Sequence, residues 1–163
     1  ETECKAILHL SELIDQSFAS AVDYIYTSEG RVIVTGIGQS ANIPTKIVDT
    51  LNSTGTPAIF MHAADAIHGD LGIIQENDTV ICISKSGNTP EIKVLVPLIK
   101  ASGNKLIGLT SHADSFLGQQ SDFILNAFVA KEACPNNLAP TTSTTAQLVI
   151  GDALAMTVYL EVT

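Results

Sequence analysis

Five short runs constrain this chain more than any other feature: Arg31–Thr35, Ala58–Met61, Thr79–Ser84, Lys105–Thr110 and Phe123–Leu125 are rich in β-branched and apolar residues and show no polar alternation. A strand with one face in water alternates, so runs without alternation belong to strands covered on both faces, the condition of a parallel sheet. Parallel neighbours require crossover connections, and the segments at about 42–54, 90–102 and 113–120 have helical character. The pattern predicts an α/β three-layer sandwich around a five-stranded, mainly parallel sheet. Ahead of the strands, Ala6, Ile7, Leu10, Leu13, Ile14, Phe18, Ala21, Val22 and Ile25 recur at steps of three and four, which predicts one long amphipathic helix from about Cys4 to Ile25. A last helix is expected from Thr144 to Leu160, and Ala127–Thr141 is the one long stretch without periodicity.

With 163 residues the chain has the size of one domain that buries roughly 70% of its unfolded surface, so a single domain over residues 1–163 is expected. Its eight Lys and Arg form no basic block and its net charge is −9, which argues against nucleic acid as a partner. No apolar run approaches the roughly 18 residues of a membrane span, and no membrane partner is expected. Cys4, Cys82 and Cys134 are far apart with no CxxC pair. That spacing suits neither a disulfide framework nor a thiolate zinc site and fits a reducing cytoplasm. The chain begins with Glu1 and stops just after an apolar run, as a trimmed piece of a longer protein would.

In open parallel sheets ligands sit outside the carboxyl ends of the strands, so the strand-to-helix turns carry the chemistry. Gly36-Ile37-Gly38-Gln39-Ser40-Ala41 matches GxGxxA and reads either as a dinucleotide turn or as a plain tight turn. Against the former, the next strand run ends at Met61-His62 and an acid comes only at Asp65. Ser84-Lys85-Ser86-Gly87-Asn88-Thr89-Pro90-Glu91 follows a strand run and opens a helix. Pro90 suits the first helical position and Asn88 or Thr89 its cap. Three hydroxyls, a glycine and a positive helix end together make an anion cradle suited to a phosphate monoester; a merely well-capped helix is the plainer alternative. Glu91 reads equally as helix-dipole compensation. His68 reads as an ordinary surface side chain, and Glu132, in the aperiodic stretch, as a functional group or a solvated loop residue. Cys134 beside it has no evident base and is not read as a nucleophile.

Ser84-x-Ser86-Gly87-x-Thr89-x-Glu91 together with Gly36-x-Gly38-x-Ser40 resembles the SIS (sugar isomerase) domain, a Rossmann-like fold that holds phosphosugars in such loops. Ser53–Pro57, Ala66–Gly72, Ala130–Pro135 and Leu138–Ala146 are similar to the motifs of the arabinose-5-phosphate isomerase group, so the resemblance runs over nearly the whole chain. It implies interconversion of D-ribulose 5-phosphate and D-arabinose 5-phosphate through a cis-enediolate, feeding Kdo for lipopolysaccharide or capsule, without a cofactor or a metal. It implies Ser84, Ser86 and Thr89 as phosphate ligands, with Gln39 and Ser40 steadying sugar oxygens. Glu132 is expected to move the proton, His68 to assist ring opening or proton relay, and Glu91 to orient hydroxyls or His68; the two glutamates are interchangeable in these roles. Where the family's loop usually carries Lys, this chain has Gln39, which donates hydrogen bonds but brings no cation. A homotetramer is implied, as is competition by a downstream sugar acid or nucleotide-sugar at the same site. The CBS modules frequent in the family are not in this sequence. A non-catalytic phosphosugar sensor is the alternative reading.

Overall fold

The computed structural model describes residues 1–162, except for the side chain of Val162. Strands β1 (Val32–Gly36), β2 (Ala58–His62), β3 (Thr79–Ile83), β4 (Lys105–Thr110) and β5 (Phe123–Asn126) fall on the five expected runs within a residue or two at either end. They pair in the order β2-β1-β3-β4-β5 with every neighbour parallel. β1 and β3 are buried at every position and β4 at every position after Lys105, the physical reason for the missing alternation.

Successive residues nevertheless serve different layers, because side chains of a strand point to opposite faces in turn. On one face Val32, Val34, Ile81, Ile83, Ile107 and Leu109 join the buried residues of α2 (Gln16–Thr27), α3 (Asn42–Ser53) and α7 (Thr142–Val162). On the other, Ile33, Val80, Cys82 and Leu106 meet α4 (Ala63–Ile67), α5 (Pro90–Ala101) and α6 (Phe116–Gln120). α5 shows how the sequence codes this: Ile92, Leu95, Val96 and Ile99 are all fully buried at the i, i+3, i+4, i+7 spacing of one helical stripe. Each such side chain contributes roughly 1.5 to 3 kcal/mol of transfer free energy.

The N-terminal helix is not continuous. α1 (Thr2–Leu10) passes into a 3-10 turn at Ser11–Leu13, and Ile14 and Asp15 are extended. The Asp15 carboxylate accepts from the amides of Ser17 at 2.9 Å and Phe18 at 3.2 Å. It starts α2 afresh, since an Asp side chain bonded to the following amides competes with helix continuation. α4 and the 3-10 turns at Gly38–Ala41 and Asp70–Ile73 are too short to show a period and were not expected. α7 covers the expected Thr144–Leu160 and extends beyond it at both ends.

At the amino-terminal edge of the sheet, Asp78 accepts from the Arg31 amide, from Nε and Nη2 of the Arg31 guanidinium, and from the Gln75 amide. Burial pushes its carboxyl up, but the Arg31 and backbone bonds outweigh this and hold it below the usual range. The opposite edge carries the ligand-type turns. The strand order reverses between β1 and β3, which opens a crevice at their carboxyl ends, where Gly36 lies in register with Ile83.

Candidate active site

Two turns flank that crevice. After β1 the chain enters the 3-10 turn Gly38–Ala41, which holds Gln39 exposed and Ser40 half-buried. A Cβ on Gly36 would stand 2.6 Å from the carbonyl oxygen of Ser40, so glycine lets this turn fold back on its own strand. After β3 the turn Ser84–Thr89 is pinned to β4. The Ser84 amide donates to the Leu109 carbonyl, and the Lys85 carbonyl accepts from the Ser111 amide and the Thr110 hydroxyl, each at 3.1 Å.

Within this second turn Ser84 Oγ accepts from the Gly87 amide at 3.1 Å and Ser86 Oγ from the Asn88 amide at 3.3 Å. Gly87 has φ +64°, and a Cβ there would lie 2.0 Å from Ser115 Oγ; no other residue fits that approach in the left-handed region. The cap expected of Asn88 or Thr89 is not made. Asn88 Oδ1 instead accepts from the Phe116 amide, and α5 starts without a side-chain cap. Thr89 Oγ1 is buried and has no hydrogen-bond partner among the described residues. A helix start with unsatisfied amides, a glycine bend and an idle hydroxyl beside it is the local geometry that accepts an anion.

The aperiodic segment is drawn onto this turn by one carboxylate. Glu132, 3% exposed, accepts at Oε1 from Lys85 Nζ at 2.6 Å and from Ser143 Oγ. At Oε2 it accepts from the amides of Thr141 at 2.9 Å and Ser143 at 3.1 Å, and from Thr141 Oγ1. Its own amide donates to Asn137 Oδ1 at 2.7 Å. Burial pushes the carboxyl up, but the bonds from Lys85, Ser143 and the backbone amides hold it down at about 2. The residue is therefore a carboxylate across the physiological range, seated at the start of α7.

Among the named candidates, Ser84, Ser86, Thr89 and Glu91 share one turn and helix start, Gln39 and Ser40 lie on the adjoining turn, and Glu132 joins them through Lys85. Glu91, second residue of α5, is half-buried, and no hydrogen bond involves its carboxylate among the described residues. His68 is exposed at the end of α4, its amide donates to the Asp65 carbonyl at 3.0 Å, and its ring makes no hydrogen bond among the described residues. The ring of His62 is used structurally, with Nδ1 accepting from the Ala64 amide at the start of α4. No group of three or more His, Cys, Asp and Glu among the described residues is arranged to hold a metal ion. Lys85, Thr141 and Ser143 were not singled out from the sequence. Lys85 had one legible signal, being a lone cation within a Ser-x-Ser turn. A cleft of about 520 Å³ lies elsewhere, between α1 and residues 128–131, and lacks the amide cradle.

Fold and site together define a doubly wound α/β domain with an uncapped helix start at its switch point. Residues 25–157 match the SIS domain, and the chain belongs to that family. It is 47% identical over 154 residues to the arabinose 5-phosphate isomerase KdsD of Pseudomonas aeruginosa, covering 94% of this chain and 47% of that protein. To the arabinose 5-phosphate isomerase KpsF of Escherichia coli strain CFT073 it is 47% identical over 152 residues, covering 93% and 46%. The chain thus spans about half the length of the curated relatives it matches. An Escherichia coli CFT073 protein solved in complex with arabinose 5-phosphate superimposes with a TM-score of 0.94 at 38% identity, over 98% of this chain and 85% of that one. The NanR protein of Vibrio vulnificus, complexed with ManNAc-6P, shares the fold at 20% identity, with a TM-score of 0.84 over 98% of this chain and 60% of that one.

Proposed function

We propose that this domain isomerises D-ribulose 5-phosphate and D-arabinose 5-phosphate in the cytoplasm, in the supply of Kdo for an outer-surface polysaccharide. The observation that carries the reading is the uncapped start of α5 with the buried, unpartnered Thr89 hydroxyl. It lies in a chain similar over more than nine-tenths of its length to arabinose 5-phosphate isomerases. The phosphate would take the amides at that helix start and the hydroxyls of Ser84, Ser86 and Thr89. Gln39 and Ser40 would donate to sugar oxygens from the adjoining turn.

Aldose-ketose isomerisation transfers a proton between C1 and C2 through an enediolate, so it needs a base and donors for the developing oxyanion. Glu132 is assigned the proton transfer. In its resting state it is a poor base, because a carboxylate with five donors has little proton affinity, and it gains basicity as Lys85 leaves it. Glu91, with its oxygens uncommitted, orients the sugar hydroxyls, and His68 serves ring opening from the α4 side. The cradle discriminates charge more than ester identity, so a downstream anionic sugar acid or nucleotide-sugar competes for it. The sensor alternative requires the cradle and leaves the Glu132 cluster without a task.

The test is proton exchange. Ribulose 5-phosphate incubated with the protein in heavy water should exchange hydrogen for deuterium at C1, and the arabinose 5-phosphate formed from it should carry deuterium at C2. Tight binding of the sugar phosphate without any exchange would favour the sensor.

A further inference from the structure

Seven of the eight basic residues leave the crevice without a cation. Lys5 pairs with Glu1, Arg31 with Asp78 at the far edge of the sheet, Lys46 with Asp152, and Lys100 and Lys105 with Asp122. Lys93 lies within α5 and Lys131 lines the separate cleft beside α1. The turn after β1 offers the neutral Gln39. Lys85 is different: it is a residue of the Ser84–Thr89 turn itself, its backbone is fixed to β4, and its ammonium meets Glu132 at 2.6 Å. The two ends of that pair are unequal. The Glu132 side chain is 1% exposed and keeps four other donors, whereas the Lys85 side chain is 39% exposed and holds this one carboxylate. If the lysine withdraws, Glu132 remains solvated by its pocket; the mobile member is the lysine.

A chain of net charge −9 repels a phosphate ester at long range, and within a Debye length of roughly 8 Å only local charge reverses this. We propose that Lys85 is an exchangeable counter-ion, paired with Glu132 in the ligand-free protein and transferred to the phosphate of the bound sugar. The exchange rests on the phosphosugar reading and deepens it. It couples filling of the cradle to removal of one of the two donors on Glu132 Oε1, which keeps its bond from Ser143 Oγ, so the carboxylate gains basicity only when substrate is present. An ammonium offers three donors, and a swing about its four-carbon stem requires no movement of the pinned turn.

Calorimetric binding of D-arabinose 5-phosphate to the parent and four variants separates this from a structural pair. Lys85→Met should bind roughly ten- to a hundredfold more weakly, the usual effect of losing a charged donor to an anion. Lys85→Arg, which keeps the charge, should recover most of that loss. Glu132→Gln should bind at least as tightly as the parent, because its lysine is already free. The decisive protein is the double variant Lys85→Met/Glu132→Gln, in which no buried charge is left unpaired and folding is protected. It should bind as weakly as Lys85→Met. A double variant that binds as tightly as Glu132→Gln would overturn the exchange while leaving the phosphosugar reading intact. A parent that binds no sugar phosphate would overturn both.

Discussion

Glu132 carries the largest electrostatic consequence at the scale of single residues. Its carboxyl is held at about 2, below the roughly 4.3 of an unfolded Glu. The unfolded chain therefore binds the proton first, so the stabilisation is complete above about pH 5 and is lost as pH falls toward 2. A shift of about two units corresponds to roughly 3 kcal/mol. Asp78 and Asp122 are lowered in the same direction, so the comparison must be with a variant. Urea denaturation between pH 5 and pH 3 should show a steeper loss of stability for the parent than for Glu132→Gln, and equal slopes would mean that the pocket does not hold a charge. Thr89 makes the complementary case, since its hydroxyl bonds to nothing described. Thr89→Val should leave thermal stability unchanged or slightly raised, yet weaken phosphosugar binding by about 1 to 3 kcal/mol. Unchanged affinity by calorimetry would move the phosphate away from α5. Glu132 stood out in the sequence as a charged residue in an aperiodic stretch, but its five donors were illegible there because they come from Lys85, Thr141 and Ser143, which only folding assembles.

Among the elements, the break between α1 and α2 shows how one side chain outweighs a periodic pattern. Leu10, Leu13, Ile14 and Phe18 keep helical spacing across the break, yet Asp15 accepts two amides of the next turn. Asp15→Ala should cost about 1 kcal/mol of stability through the lost cap, measured by chemical denaturation. A neutral outcome would show that packing alone starts α2. The Ser84–Thr89 turn is held from the outside by comparison: the Leu117 amide donates to the Gly87 carbonyl at 2.9 Å, and the Phe116 amide to Asn88. Gly87→Ala forces both a left-handed backbone and a clash with Ser115. It should lower stability by roughly 1 to 3 kcal/mol and weaken sugar-phosphate binding with it. Loss of stability without loss of binding would show that the turn's shape does not matter to the ligand.

For the whole molecule, apolar surface remains outside the two cores: Leu8 is 74% exposed, and Tyr26, Met156 and Tyr159 are also exposed on α1, α2 and α7. We propose that these helices pair chains into a homo-oligomer, most simply a tetramer of dihedral symmetry. Light scattering at micromolar concentration should give a mass of several chains, and a monomer would remove the proposal. Local sequence was sufficient for the parts whose causes are local. Unbroken apolar runs specified buried parallel strands, the 3- and 4-residue spacing specified the inner face of α5, and Ser84-x-Ser86-Gly87-x-Thr89-Pro90 specified a glycine-bent turn that opens a helix. The strand order β2-β1-β3-β4-β5 was not written in any one segment, because it reflects which helices cover which face of the finished sheet. That order creates the crevice between the turns after β1 and β3. It also brings Lys85 to Glu132 across 47 residues, and leaves His68 at the edge of α4 without a partner among the described residues. Charge pairing of this kind depends on separations of a few ångströms between remote segments, a quantity that composition and periodicity do not contain and that the packing of the whole chain alone determines.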